Sequence, residues 1–239
     1  MEDKMIKKEI KIDNIPVILW GEDSPKLFIA VHGNMSSKSD VPIAILAEEV
    51  VLLGYQVLSF DLPEHGDRKN ESTLCKVETC VQELTQIMEF AMKRAKHISL
   101  FACSMGAYFS MLAYKDIGLE QSLFLSPVVN MERIIHNMMT WFNITEEKLK
   151  DEQEIPTPIG QMLYWDYYSY VKENPIVRWG SPTSILYGEK DELCEREFVA
   201  SFAKIFGCEI EVVHDAEHYF HTSQQLMDYR NWLKKHLQV

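Results

Sequence analysis

One serine in this chain has the surroundings of an exposed nucleophile. Ser104 follows the apolar run His97–Ala102, which has the pattern of a buried strand, and precedes a run that predicts a helix. A serine on a sharp strand-to-helix turn presents its hydroxyl at the end of the sheet, and such a turn leaves almost no room for side chains two residues away on either side. Ala102 and Gly106 are small enough for those positions. Ser104 is therefore our candidate nucleophile for acyl transfer.

The neighbouring Cys103 is the alternative nucleophile in the same turn. If Cys103 stood at the apex, the crowded positions would fall on Phe101 and Met105, whose side chains are too bulky to fit there. We therefore prefer Ser104 on steric grounds.

A loop late in the chain can supply the acid that a serine nucleophile needs. The hydroxyl requires a base, and the base requires a carboxylate that orients it. In the chain order serine, acid, histidine, the acid follows a downstream strand. Asp191 lies in the turn after the predicted strand Ser184–Tyr187, at the edge where α/β sheets place their ligands. Glu189 and Glu192 compete from the same loop, and we choose Asp191.

Three histidines follow the next predicted strand, Glu209–Val213. His214 ends that strand and lies too early, whereas His221 stands at the start of the last predicted helix. His218 lies between them in a predicted loop, where its ring is free to approach a serine. His218 is therefore our candidate base.

The oxyanion that forms after attack needs two backbone N–H donors. The Met105 amide is the first candidate, because it lies at the N-terminus of the predicted helix after Ser104, where the helix dipole favours negative charge. The second donor is expected in the loop after the strand Leu27–Val31, where the Asn34 amide is the candidate and the Met35 amide the alternative.

Apolar runs alternate with helical patterns along much of the chain, which predicts an α/β fold with a mainly parallel eight-stranded sheet and helices on both faces. The first two strands are expected to form an antiparallel hairpin through Asp13 and Asn14. The predicted strands are Ile6–Ile12, Val17–Trp20, Leu27–Val31, Gln56–Phe60, His97–Ala102, Ser122–Leu125, Ser184–Tyr187 and Glu209–Val213. The predicted helices outside the region described next are Val41–Leu53, Thr73–Lys96, Ser104–Asp116, Glu195–Phe206 and Thr222–Leu237.

The alternation breaks in an aromatic-rich, mostly helical region between the sixth and seventh strands. We interpret residues 128–181 as an inserted helical cap, and residues 1–127 and 182–239 as the core domain. The region holds more aromatic surface than a simple connector needs. We therefore expect part of it to roof an apolar acyl pocket.

Two helices are predicted within this insertion. One follows Asn130, which is a good N-cap residue, and carries an apolar stripe at helical spacing. The second is expected from Met162 through Val171. The charged segment Glu146–Glu154 is interpreted as a solvated face or loop without a binding role.

Together these features resemble the α/β-hydrolase family, and within it the capped branch of esterases, lysophospholipases and monoacylglycerol lipases, over essentially the full chain. The resemblance implies an acyl-enzyme mechanism with Ser104, Asp191 and His218 as the triad and the amides of Asn34 and Met105 as the oxyanion hole. Carboxylic esters or thioesters of small to medium apolar acyl or aryl groups are the implied substrates. Ala102 departs from the family's usual glycine. The carrying motifs are His32-Gly33-Asn34, Asp61-Leu62-Pro63-Glu64-His65-Gly66, Ala102-Cys103-Ser104-Met105-Gly106, Gly188-Glu189-Lys190-Asp191 and Glu217-His218-Tyr219-Phe220.

Asp61 and His65 match a loop that is usually structural in such folds, so we assign them no chemistry. The loop after His32-Gly33 lacks the additional glycines of many lipases, which leaves the shape of the pocket open.

Two other function classes compete with a serine hydrolase. The run from His214 to His218 matches the H-x-x-E-H signature of zinc peptidases, which requires a helix to bring both imidazoles to one face. The β-branched, alternating residues before His214 favour a strand instead. A non-catalytic binding protein on the same fold is the second alternative, and its mark would be a missing triad member.

Composition indicates the protein's surroundings. The net charge of -12 disfavours nucleic acid and anionic membrane surfaces as partners, because it repels phosphates at long range. The five cysteines show no paired C-x-x-C spacing, so we expect reduced thiols and a cytoplasmic location. No run has the length of a signal peptide's apolar core or of a membrane span. We expect a small-molecule ester as the substrate, no metal or organic cofactor and no membrane insertion, and we leave a homodimer open.

Overall fold

The computed structural model describes residues 5–237. Residues 1–4 and 238–239, at the two ends of the predicted core domain, lie outside the described residues. The elements in chain order are β1 Lys7–Ile12, β2 Ile15–Trp20, β3 Lys26–Val31, α1 Val41–Val51, β4 Gln56–Phe60, a short 3-10 helix Gly66–Arg68, α2 Val77–Met92, β5 His97–Cys103, α3 Met105–Ala113, β6 Ser122–Leu125, α4 Met131–Trp141, α5 Glu146–Glu152, β7 Glu154–Pro156, β8 Met162–Tyr164, α6 Trp165–Glu173, β9 Thr183–Gly188, α7 Arg196–Phe206, β10 Glu209–Val213 and α8 Ser223–His236.

Eight of these strands form one sheet in the order β1-β2-β4-β3-β5-β6-β9-β10. β2 is antiparallel to both β1 and β4, and the other neighbours pair in parallel. The β1–β2 hairpin turns through Asp13, which has a φ of +51°, and Asn14. The predicted α/β fold with a mainly parallel eight-stranded sheet is therefore confirmed.

The sheet is buried on both faces because its central strands carry apolar side chains on both faces. Along β3, Leu27, Ile29 and Val31 pack into one cluster, whereas Phe28 and Ala30 pack into a second cluster on the opposite face. Helices α2 and α3 pack together, and α1 packs with α8. Alternate residues of a strand point to opposite faces, so a fully apolar strand requires a helical layer on each side.

Several helices begin where the sequence offers a capping side chain. Asn130 accepts a hydrogen bond from the Arg133 amide at 2.9 Å at the start of α4, as its N-cap pattern predicts. Thr222 and Gln225 form a capping box at the start of α8. These bonds satisfy amides that have no partner within the helix.

The structure corrects the starts of two predicted helices. The second helix of the insertion begins at Trp165 and not at Met162, because Met162–Tyr164 pairs with Glu154–Pro156 as a small antiparallel ribbon. Helix α2 begins at Val77, four residues later than predicted. The charged segment Glu146–Glu154 is exposed except at Leu149, as expected of a solvated face, and it contains helix α5, which is capped by Thr145.

Residues 128–181 connect β6 to β9, which are neighbouring parallel strands. Leu125 therefore leaves the sheet at its carboxyl edge, and Thr183 enters it at the opposite edge, beside Ser122. None of the helices within residues 5–237 is long and apolar enough to cross a membrane.

Candidate active site

Ser104 lies at the turn between β5 and α3 in a conformation that few non-glycine residues adopt. Its φ is +49° and its ψ is −123°. Three main-chain hydrogen bonds hold this turn: the Ser104 amide donates to the Leu125 carbonyl at 3.1 Å, and the Ser104 carbonyl accepts from Ala107 at 3.1 Å and Val128 at 3.0 Å. Strained backbone persists where the surrounding structure fixes it, and such sites are often functional.

The steric basis of the prediction holds at Gly106. A Cβ atom at Gly106 would lie 2.4 Å from the carbonyl oxygen of His32, and real Cβ atoms do not approach a carbonyl that closely. Ala102 is fully buried beneath the same turn. The turn therefore accepts no bulk at either position.

The structure brings the side chains of Ser104, His218 and Asp191 into one hydrogen-bonded chain. His218 Nε2 lies 2.8 Å from Ser104 Oγ, and His218 Nδ1 lies 2.7 Å from Asp191 Oδ2. A carboxylate accepts hydrogen bonds, so Nδ1 carries the proton and Nε2 is free to accept from the serine hydroxyl. A nucleophile, a base and an orienting acid require this order of side chains, each within hydrogen-bond reach of the next.

Asp191 is held as firmly as the role of an orienting acid requires. Its side chain is fully buried, and Oδ1 accepts hydrogen bonds from the amides of Leu193 at 2.9 Å and Cys194 at 2.8 Å. The loop is tied to the histidine loop because the Lys190 amide donates to the Ala216 carbonyl at 2.8 Å. The carboxylate is thus fixed toward a His218 side chain that is 21% exposed.

The rival residues lie elsewhere. Glu189 pairs with His214, and both of these residues are exposed. The ring of His221 lies against the carbonyl of Tyr219 at 2.8 Å. Glu189, His214 and His221 therefore form contacts of their own, apart from the Ser104–His218 hydrogen bond, and the side chain of Glu192 is exposed.

The two predicted oxyanion donors come from two different segments next to Ser104. Met105 is the first residue of α3. The other loop approaches through Gly33, where an added Cβ would lie 3.0 Å from Ser104 Cβ. Asn34 follows directly, and Met35 is 94% exposed with a φ of +56°.

Two buried histidines hold the loop that carries Asn34. His32 Nδ1 lies 2.7 Å from the Gly33 carbonyl, and its Nε2 accepts from the Leu62 amide at 3.0 Å. Burial lowers the pKa of His32 to about 4, so its ring is neutral at pH 7. His65 Nε2 lies 3.1 Å from Asn34 Oδ1. Sequence reasoning left His65 without a role, because a contact between loops after different strands has no signal in residue spacing.

Asp61 lies in a loop that is expected to be structural, and its carboxylate holds neighbouring segments together. Its carboxylate accepts from the Lys38 amide at 2.8 Å, from Lys38 Nζ at 2.6 Å and from the Asp67 amide at 3.0 Å. These bonds join the loop after β3 to the loop after β4, beside the site.

The helix that a zinc-peptidase signature requires is not formed between His214 and His218, which follow the end of β10 in irregular backbone. Among the described residues, His214 groups with Glu189 and Asp215, whereas His218 groups with Asp191 and Cys194. The two imidazoles of the signature therefore belong to separate groups and do not form one zinc site.

Comparisons with known proteins show similarity of fold. No protein-family model matches the chain, and no curated protein sequence matches it. Est1E from Butyrivibrio proteoclasticus, in a structure with bound ferulic acid, has a TM-score of 0.74 and 18% identity over 95% of this chain and 98% of its own. An esterase of Pyrococcus furiosus has a TM-score of 0.71 and 18% identity, covering 97% of this chain and 90% of its own. Mouse alpha/beta hydrolase domain-containing protein 10 has a TM-score of 0.77 and 12% identity, covering 96% of this chain and 97% of its own.

Proposed function

We propose that this chain, which has the α/β-hydrolase fold, is a serine hydrolase that cleaves carboxylic esters or thioesters of small to medium apolar acyl or aryl groups. The observation that carries the proposal is the continuous hydrogen-bonded chain from Ser104 Oγ through His218 to Asp191. The esterases among the similar structures support the same reaction class.

The mechanism follows from the tautomer of His218, whose Nδ1 carries a proton and whose Nε2 is free to accept one. Ser104 Oγ attacks the carbonyl carbon while its proton moves to His218 Nε2, and Asp191 stabilises the imidazolium that forms. The negative charge on the former carbonyl oxygen is met by the amides of Met105 and Asn34. His218 then gives the proton to the departing alcohol or thiol, and the acyl group remains on Ser104. A water molecule, activated by the same base, releases the acid.

We further propose that residues 128–181 act as a cap that contributes apolar surface to the substrate site. The segment is joined to the Ser104 turn by the Val128–Ser104 hydrogen bond and reaches the loop that carries Asn34, here called the oxyanion loop, at Gln161, whose side chain lies 3.5 Å from that of Asn34. Ile159, in the same loop of the insertion, is 63% exposed, and Tyr219 beside His218 is 58% exposed. Exposed apolar side chains in the insertion and beside His218 favour a substrate with an apolar acyl or aryl group.

A non-catalytic binding protein is the second candidate function. It is disfavoured because a protein that only binds has no need of a strained Ser104 turn and a buried carboxylate aimed at His218. The cytoplasmic location, the absence of a nucleic-acid partner and a homodimer stay predictions.

The test is hydrolysis of p-nitrophenyl esters of increasing acyl length by the wild type, Ser104→Ala and Cys103→Ala. We expect Ser104→Ala to lose about 10⁴–10⁶ in turnover and Cys103→Ala to keep most of its activity, with no effect of a chelator. Labelling by a fluorophosphonate should place the adduct on Ser104 in a peptide map. Wild-type ester turnover by Ser104→Ala, or labelling at another residue, would overturn the proposal.

A further inference from the structure

Two cysteines outside the candidate active site lie in contact. The Sγ atoms of Cys75 and Cys80 are 3.6 Å apart. Cys75 is partly exposed, and Cys80 is fully buried in the first turns of α2. A pair of thiols at this distance can form a disulfide after the sulfur atoms approach by about 1.5 Å.

The late start of α2 brings these residues together. In one continuous helix, residues five apart lie about 140° apart around the axis and do not face each other. Lys76 has an extended conformation with a ψ of 156°, so Cys75 precedes the helix and folds back over it. The Cys75 amide donates to the Glu64 carboxylate at 2.7 Å, which fixes this position.

The environment makes the two thiols unequal. The hydrogen bond from Cys80 lowers the pKa of Cys75, and His65 lowers it further. Burial raises the pKa of the Cys80 thiol well above its usual value. Cys75 is thus the more readily ionised thiol of the pair, and Cys80 is placed to donate a hydrogen bond to it. A partly exposed thiolate beside a second thiol is the arrangement in which a cysteine reacts with oxidants and is then captured by its neighbour.

We propose that Cys75 and Cys80 form a thiol oxidation site that takes a hydroperoxide as its oxidant and ends as an intramolecular disulfide. The Cys75 thiolate attacks one peroxide oxygen, the O–O bond breaks, and hydroxide leaves as Cys75 becomes a sulfenic acid. The Cys80 sulfur then attacks the Cys75 sulfur, and the sulfenic oxygen departs as water with the Cys80 proton. The two thiols together lose two electrons. Both oxygen atoms of the peroxide end at the oxidation level of water.

The site lies one side chain away from the oxyanion loop. His65 interacts with Cys75 on one side and with Asn34 on the other. Tyr167 of the insertion is partly buried and packs against the apolar cluster that contains Cys80, and Lys76 pairs with Asp166 of the insertion. The thiol pair is therefore packed where the core, the oxyanion loop and residues 128–181 meet.

The test treats the reduced wild-type protein with hydrogen peroxide, blocks the remaining thiols with iodoacetamide and maps the peptides by mass spectrometry. We expect a Cys75–Cys80 linkage that dithiothreitol reverses, formed while Cys208 still alkylates. Cys208 is the matched control because it is also partly exposed, but burial raises its pKa to about 11. We expect Cys75 to react at least about tenfold faster than Cys208 at pH 7.

Variants separate the two steps. Cys80→Ser should still be oxidised at Cys75 but should accumulate a sulfenic acid that dimedone traps, whereas Cys208→Ser should form the disulfide like the wild type. Oxidation of Cys75 no faster than of Cys208, or a wild-type product at Cys75 without a bond to Cys80, would refute the site. The wild-type peptide map needs no variant to fold, and it is independent of ester turnover.

Discussion

The Cα atom of Gly106 lies so close to the carbonyl of His32 that the two chain segments leave no space for a methyl group. An added Cβ would also lie 3.0 Å from Val31 Cγ1, so the first turn of α3 is pressed directly onto the end of β3. This contact brings the Ser104 turn and the end of β3, which leads to Asn34, together.

Gly106→Ala should therefore destabilise the protein by about 1–3 kcal/mol, because backbone must shift to relieve the overlap. Gly118→Ala is the matched control, since a Cβ there meets nothing within 4 Å. Denaturant unfolding measures both, and the control should stay within about 0.5 kcal/mol of the wild type. Equal stability of the two variants would contradict the steric account of the turn.

Asp191→Asn should lower kcat by about 10⁴, because an amide does not hold His218 in the tautomer that accepts the serine proton. The variant should stay folded, since its amide oxygen can still accept from Leu193 and Cys194. Glu189→Gln is the control from the same loop, and its turnover should stay near the wild type. If Glu189→Gln were the inactive variant, the acid would be misassigned.

Removal of the Asn34 amide tests the second oxyanion donor. Asn34→Pro has no N–H and should lose about 10²–10³ in turnover. Asn34→Ala keeps the N–H but loses the contact with His65, and it should lose much less. Comparison of kcat for the two variants separates the backbone from the side chain. Turnover by Asn34→Pro close to that of Asn34→Ala would transfer the role to Met35.

His32 should make the protein sensitive to acid. Its pKa of about 4 in the folded chain lies below the ordinary 6.5, so the unfolded chain binds a proton first as the pH falls. The stability that is fully present above about pH 6.5 is lost as the pH falls toward about 4, by about 3 kcal/mol in total. Unfolding free energies at several pH values measure this loss.

His32→Gln should be less stable at pH 7 but should lose less stability on acidification than the wild type. His97→Gln, at an exposed histidine, is the control and should follow the wild-type curve. Carboxylates titrate in all three proteins, so the difference between the curves reports His32. Identical pH slopes for His32→Gln and the wild type would be evidence against a buried neutral ring.

Sequence reasoning predicted the strands well because most of them are buried on both faces. β4, β6 and β10 have the predicted bounds, and the central strands differ by a residue or so. Ser104, Asp191 and His218 could be selected because parallel strands end at one edge, which brings residues after β5, β9 and β10 together. Their catalytic roles remain predictions until the variants are measured.

Contacts between loops could not be predicted in the same way. The β7–β8 ribbon depends on pairing between short segments that carry no alternating pattern. The start of α2 depends on Cys75 and Lys76 adopting extended backbone where helix propensity alone continues the helix to Thr73. The Cys75–Cys80 contact follows from that start, so cysteine spacing by itself indicated only unpaired thiols.

The connection between β6 and β9 also sets where the acid can stand. Parallel neighbours require a crossover of about a dozen residues or more, whereas a short turn permits only an antiparallel hairpin. A chain shortened by joining residue 127 directly to residue 182 would reverse β9 and carry Asp191 to the far edge of the sheet, away from Ser104. Residues 128–181 can therefore be exchanged for another segment only if the replacement also returns the chain to the amino edge. The segment between β6 and β9 can diverge in sequence. It must still begin at the carboxyl edge of the sheet and end at the amino edge.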